Sequence, residues 1–307
     1  MKISTTLGGA RTQGHGRGVT SMEEGIKLLH ETGFRFGDLS LTSYDNRSDY
    51  LWADDWMEQT QKYAQLAKDC GIDFYQGHAP FIRTGRLFVL EEQGLVEEFH
   101  EYLRRSIIAA GEFGVKWMVI HPLTFENLNC ERKASLQANH DFWAPYVELG
   151  AKHGVGIAFE NQLPYLQRQG TFCPCSHYED LCDLIDSYND PRYVGACWDT
   201  GHANQARFDQ YRALTAVGSR LQVLHINDNH YGNKDEHLLP WMGEIKWDDV
   251  IRALVEINYP GTLNYEVGKI VIYSYGEAHK QMLRLIHDNA SYFAQQYEKE
   301  LIRQGKK

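Results

Sequence analysis

Six apolar runs along the chain each end in a side chain that can bind a cation or move a proton: His78 in GHAP, His121 in VIHP, Glu160 in AFEN, Asp199 in CWDTGHA, His225 in LHIND and Glu266 in NYEV. One such residue alone is an ordinary hydrogen-bonded turn residue. Six in succession are a pattern, because carboxylates and imidazoles carried into one cavity are costly to bury unless paired or metal-bound. Glu160, Asp199, His225 and Glu266 supply three carboxylates and one imidazole. This mainly hard oxygen set suits Mn²⁺ first and also admits Mg²⁺, Co²⁺ or Zn²⁺. His202, three residues after Asp199, and Asp235 with His237 in KDEHL lie just beyond the runs. With His78 and His121 they form an outer set, able to hold further cations or to contact substrate hydroxyls.

Side chains scattered over this much sequence need a scaffold that brings strand ends together. Eight β-type runs, KIST, FRFGDLSL, IDFYQGHA, KWMVIHP, VGIAFEN, YVGACWD, LQVLHIND and TLNYEV, alternate with helical segments at 21–32, 54–70, 95–114, 133–153, 177–188, 204–217, 247–257 and 277–303. Glycine follows several helices, as at Gly33, Gly71 and Gly154, where a left-handed cap ends the helix. Eight βα units predict an α/β fold, a single (β/α)8 TIM barrel over residues 1–307, in which the carboxyl ends of the strands converge on one mouth. The polar stretch 229–246 reads as a long active-site loop and GHGRG at 14–18 as a mobile loop. GHGRG lacks the lysine of a phosphate loop and the spacing of a dinucleotide fingerprint, and no GxSxG elbow is present.

With 31 Lys and Arg against 41 Asp and Glu, the formal charge is −10. That sign opposes phosphate attraction and weighs against nucleic acid as a partner. Neither a signal-peptide-like start nor a membrane-length apolar run is visible, so the expected location is cytoplasmic, away from membranes. Cys70, Cys130, Cys173, Cys175, Cys182 and Cys197 are too scattered for a disulfide framework. Cys173-Pro-Cys175 with His177 has some ligand spacing but lacks the second cysteine pair of structural zinc sites. A homo-oligomer sheltering a loop-rich mouth is open, with no residue that demonstrates it.

The strand-end motifs, with DTGHA and KDEHL, resemble the xylose-isomerase-like TIM-barrel superfamily of sugar phosphate isomerases and epimerases, ketose 3-epimerases, inosose dehydratases and the endonuclease IV branch (AP endonuclease family 2). The resemblance spans most of the chain. It implies that Glu160, Asp199, His225 and Glu266 are the ligands of a single-metal epimerase site, that His202 binds substrate, and that Glu160 and Glu266 handle protons on opposite faces of the sugar. His78, His121, Glu160, Asp199, His202, His225, Asp235, His237 and Glu266 also fall at the nine ligand positions of the trinuclear endonuclease pattern. Three departures are visible: HPLTF replaces a usual Gly-Ser after the second histidine, Trp241 and Met242 stand where a proline-glycine turn is usual, and Tyr231 sits near the place of the epimerase arginine.

The chemistry this implies is proton transfer next to a carbonyl, with a carbohydrate as substrate. A divalent ion polarises the ketone and stabilises an enediolate, while Glu160 and Glu266, on nonadjacent strands, abstract and return the proton, and His202 orients or protonates hydroxyls. Return to the opposite face is epimerisation, transfer to the next carbon is aldose–ketose isomerisation, and loss of a β-hydroxyl makes a dehydratase or lyase. The alternatives are an endonuclease IV-like multi-metal phosphoesterase and a metal-stabilised binding protein. Trp52, Trp56, Phe81, Trp143, Trp198 and Trp241 are candidate sugar-stacking rings, and Trp241 a candidate pocket wall.

Overall fold

The computed structural model describes residues 1–13, 18–81, 93–124, 131–163, 172–232 and 235–307. Eight parallel strands make the central sheet: β1 (Ile3–Thr6), β2 (Phe36–Ser40), β3 (Asp73–His78), β4 (Trp117–Ile120), β5 (Gly156–Glu160), β6 (Val194–Asp199), β7 (Leu221–His225) and β8 (Leu263–Tyr265). They pair in sequence from β1 to β7, and β8 pairs with β1. A parallel bridge between Ile226 and Tyr265 joins the last two strands and closes a (β/α)8 barrel. Both faces of such strands are covered, which is why GIAFE and VGACWD are buried throughout.

Eight outer helices cover the sheet: α1 (Met22–Glu31), α2 (Trp56–Asp69), α3 (Gln93–Glu112), α4 (Arg132–His153), α5 (Tyr178–Ser187), α6 (Gln210–Val217), α7 (Trp247–Glu256) and α8 (Gly276–Arg303). Ser21 and Glu24 form a reciprocal capping box at the start of α1. Gly154, at φ 73°, ends α4 in the left-handed conformation that glycine adopts without a Cβ penalty. The apolar face of α7 buries Val250, Ile251 and Leu254 while Asp248 and Asp249 favour its positive N-terminus. Among the described residues, no helix is long and apolar enough to cross a membrane.

The helix expected over 204–217 is two helices. Thr200–Gln205 ends before Arg207, which lies at φ 57°, and Asp209 caps the start of α6 by accepting from the Arg212 amide. The loop expected over 229–246 is anchored by an antiparallel bridge between Asp228 and Leu238, with residues 233–234 outside the described set. Most of GHGRG, residues 14–17, also lies outside it. Strand periodicity stacks the interior in layers: His78, His121, Glu160, Asp199, His225 and Glu266 stand two positions beyond Gln76, Val119, Ala158, Cys197, Val223 and Asn264.

Candidate metal centre

Glu160, Asp199, His225 and Glu266 offer ligand atoms that all lie within 4.8 Å of one another. Three of the four side chains are essentially inaccessible, while Glu266 retains a quarter of its side-chain surface. Glu160 is the hub. His225 Nδ1 is 2.9 Å from its Oε1, and His121 Nε2 stands 2.9 Å from Oε2 without hydrogen-bond geometry, so that oxygen is buried with no hydrogen-bond partner. His225 Nδ1 also lies 3.5 Å from Glu266 Oε2. A second group, His78, Glu160 and His225, shares two members with the first and so does not describe an independent ion position.

Asp199 is held from three sides. Its Oδ1 accepts from the His202 amide at 2.6 Å, its Oδ2 accepts from Asn227 Nδ2 at 2.8 Å, and its own backbone amide donates to Asn161 Oδ1 at 2.6 Å. The close packing of Asn227 requires glycine at 201, where a Cβ would fall 1.9 Å from Asn227 Oδ1. Asn161 and Asn227 carry no distinctive sequence spacing, but each follows a predicted ligand by one or two residues.

The cluster's charges favour a cation. Burial, reinforced by Glu160 and Glu266, raises Asp199 to about 6 against the pull of His202. Burial also opposes charge on Glu160, yet His225 and His121 hold it well below the usual carboxylate range. His225 is burdened by burial too, and Cys197, Glu266 and Glu160 outweigh that and lift it well above its ordinary value. Three acidic groups and one imidazole with no Lys or Arg ion pair among the described contacts, and an orphaned carboxylate oxygen at the hub, fit a divalent ion of the hard or borderline kind.

The outer residues divide. His78 and His121 sit against Glu160, with His78 Nε2 at 3.6 Å from Oε2, and Phe81 stacks on His121 with ring centroids 4.7 Å apart. His202 anchors Nδ1 on the Asn161 carbonyl at 2.8 Å. His237 anchors Nδ1 on the Glu266 carbonyl at 2.6 Å and turns Nε2 to Asp235 Oδ2, also at 2.6 Å. Lys269, absent from the candidates drawn from sequence, places its ammonium 2.9 Å from that same Asp235 oxygen. His202, Asp235 and His237 are not gathered into a ligand group among the described residues.

Of the six candidate stacking rings, Phe81 touches the ligand ring. Trp143 and Trp198 are core residues, Trp52 packs on Tyr44 and Tyr102, and Trp56 lies under Arg105. Trp241 packs on Trp247, Tyr292 and Phe293 at the outer layer, so it is not the pocket wall expected of it. Its φ of 69° is the glycine-like conformation that the turn demands, and the ring's packing holds it there. Tyr231, where an arginine was missing in sequence, carries Arg207 over its ring at 3.5 Å, delivered from the break before α6. Cys173 and Cys175 are buried thiols, Cys173 raised to about 12 by burial.

A family model described as xylose isomerase-like TIM barrel matches residues 26–286. An uncharacterized protein of Sinorhizobium fredii is 26% identical over 272 residues, covering 80% of this chain and 81% of its own. A protein named probable endonuclease 4 from Acholeplasma laidlawii is 27% identical over 203 residues, 62% of this chain and 66% of its own. Among solved structures, the IOLI protein with a bound zinc atom superposes with a TM-score of 0.75 at 17% identity, over 97% of this chain and 99% of that one. A D-psicose 3-epimerase determined in the presence of D-fructose gives 0.70 at 14% identity, over 96% and 98%. At these identities the structural likeness speaks to the fold, and with the matched family model it carries one conclusion: the chain belongs to the xylose isomerase-like TIM barrel family.

Proposed function

We propose that this chain is a metal-dependent sugar isomerase or epimerase that works through an enediolate on a ketose, sugar phosphate or inosose. The observation that carries the reading is the convergence of Glu160, Asp199, His225 and Glu266 on one largely buried position. A divalent ion held by those four, Mn²⁺ first among the candidates, supplies Lewis-acid polarisation of a substrate carbonyl. Glu266, a quarter exposed, is the carboxylate best placed to meet substrate from the mouth, whereas Glu160 approaches from the floor beside His121. Opposed carboxylates suit abstraction of a proton on one face and its return on the other. His202 and His78 each commit Nδ1–H to a backbone carbonyl, at 2.8 Å in both cases, leaving Nε2 for a hydroxyl. Loss of a β-hydroxyl from the same enediolate is the lyase variant of this reading.

The second reading, a multi-metal phosphoesterase, is favoured by the endonuclease relatives and by His78 and His121 gathering at Glu160. Against it stands Lys269, whose ammonium lies 2.9 Å from Asp235 Oδ2 and places a positive charge beside the carboxylate that a third cation would need, whose Oδ1 has no hydrogen-bond partner. The net charge of −10 supports a small carbohydrate rather than nucleic acid, and a cytoplasmic setting and a single domain over 1–307 complete the proposal.

Solvent deuterium exchange into a panel of ketoses, inososes and sugar phosphates, with Mn²⁺ present, is the test. Exchange at the carbon next to the carbonyl, abolished by Glu266→Gln, is expected. Persistence of exchange in that variant would remove Glu266 from the base role, and cleavage of abasic DNA without any sugar exchange would transfer the chain to the second reading.

A further inference from the structure

Below the ligand layer the barrel interior is split. Trp117, Val119, Ala158, Cys197 and Val223 form a separate apolar cluster under one half. Under the other half lie Ser4, Asp38, Gln76 and Asn264, all with no exposed surface. Asp38 is the exceptional member, a carboxylate in a barrel core with no Lys or Arg contact among the described residues. Its Oδ2 accepts from Gln76 Nε2 and from Asn264 Nδ2, each at 2.9 Å. Asn264 is itself fixed by the Ser4 hydroxyl at 2.9 Å, and Ser4 meets Thr262 at 3.0 Å.

The described ion-pair contact of Asp38 is with His225, whose Nε2 lies 3.5 Å from Oδ2, at the outer edge of hydrogen-bond distance. Both His225 Nε2 and Asp38 Oδ1 are buried with no hydrogen-bond partner. His225 differs from its neighbours in orientation. His78, His202 and His237 tie Nδ1 to backbone carbonyls and present Nε2, whereas His225 presents Nδ1 to Glu160 and Glu266. A neutral imidazole carries one hydrogen, and the nitrogen that binds a cation must be bare. Without a cation Nδ1 donates to Glu160 Oε1 at 2.9 Å; with a cation on Nδ1 the one hydrogen of the neutral ring belongs on Nε2, and in both states that hydrogen needs an acceptor from below.

We propose that Asp38 is the positioning residue for His225: it takes the Nε2 hydrogen, fixes the ring's tautomer and turn, and so keeps the Nδ1 lone pair aimed between Glu160 and Glu266. The polar half of the core exists to hold that carboxylate in place, through Gln76, Asn264 and Ser4. The inference deepens the reading of this cluster as a cation site and rests on it for its functional meaning.

The test uses the full chain with ¹⁵N-labelled histidine and two readouts. In wild type the His225 ring, assigned by its loss in His225→Gln, is expected to carry hydrogen on Nε2 whether metal-free or saturated with diamagnetic Zn²⁺. In Asp38→Asn, which keeps the shape, the ring ¹⁵N shifts should move and the Kd for Mn²⁺ should rise about 10- to 100-fold, the usual cost of losing such a partner. Val119→Ala, in the apolar half, controls for core damage and should change Kd less than about threefold. A hydrogen found on Nδ1 in metal-loaded wild type, or an Asp38→Asn affinity within about threefold of wild type, would overturn the proposal. Should wild type bind no metal while the Nε2 hydrogen is present and disturbed in Asp38→Asn, the tautomer role stands and the cation reading falls. Should Asp38→Asn fail to fold, the wild-type tautomer decides alone.

Discussion

The inner four candidate ligands and the rim trio of His202, Asp235 and His237 are built from the same side-chain types, yet they resolve their charge differently. The inner set packs three carboxylates around one imidazole, and Asp199 is raised to about 6 chiefly by burial. At the rim, Asp235 is met by His237 at 2.6 Å and by Lys269 at 2.9 Å, so the chain supplies its own cations. Ligand-like residues therefore do not by themselves mark a metal position. What marks one is a convergence of buried carboxylates that only imidazoles, which give up their protons to a metal, face in the chain, with no Lys or Arg among the described contacts.

The sharpest way to break this contrast is Glu160→Gln, which removes the hub carboxylate. Cation affinity is expected to fall at least about 10³-fold by calorimetric titration, because a neutral amide replaces a buried anionic ligand. Retained affinity would mean that the ion sits elsewhere. Acid is the next lever. Protons on Asp199 and on His225 both compete with the ion, so affinity should rise with pH through about 6 as Asp199 ionises and go on rising until His225, held well above its ordinary value, loses its hydrogen. The metal-free protein should move the other way. Asp199 has a folded value above its unfolded one, so its charged form costs stability above about pH 6, and that cost is relieved as pH falls through this range. Melting of both forms across pH 5–7 checks the opposed slopes.

Rim changes should be milder. Asp235→Asn is expected to leave the inner ion bound and to raise KM about tenfold with kcat largely kept, since it disturbs substrate contacts rather than the reacting carbon. Loss of an ion in that variant would show the rim to be a metal site. His237, raised to about 9 against burial by Glu266 and Asp235, should contribute stability that is complete below about pH 6.5 and fades as pH rises through 9. Smallest of all, Trp241→Gly exchanges relief of a left-handed backbone, about 1–2 kcal/mol, for lost ring packing of similar size. Steady-state kinetics should not register it.

The inner site was legible because strand periodicity and strand ends are local signals: one polar residue closing each apolar run is enough to predict Glu160, Asp199, His225 and Glu266 at a common mouth. What sequence did not disclose depends on approach between distant elements. Lys269 meets Asp235 across 34 residues, and Asp38 lies beneath His225 from the opposite part of the barrel. Each looks like an ordinary surface lysine or strand aspartate until the barrel closes. The break at Arg207 was hidden for a related reason, since a helix-compatible run gives little sign that the Asp209 cap will start a new helix. Trp241 misled because an aromatic near a site motif looks like a wall, and only tertiary packing directs it outward onto α8.

Elemental analysis of protein purified without added metal tests the central claim most directly. About one divalent ion per chain is expected, retained in Asp235→Asn and lost in Glu160→Gln. About three ions per chain, with one released by Asp235→Asn, would contradict it and make the rim a metal site after all.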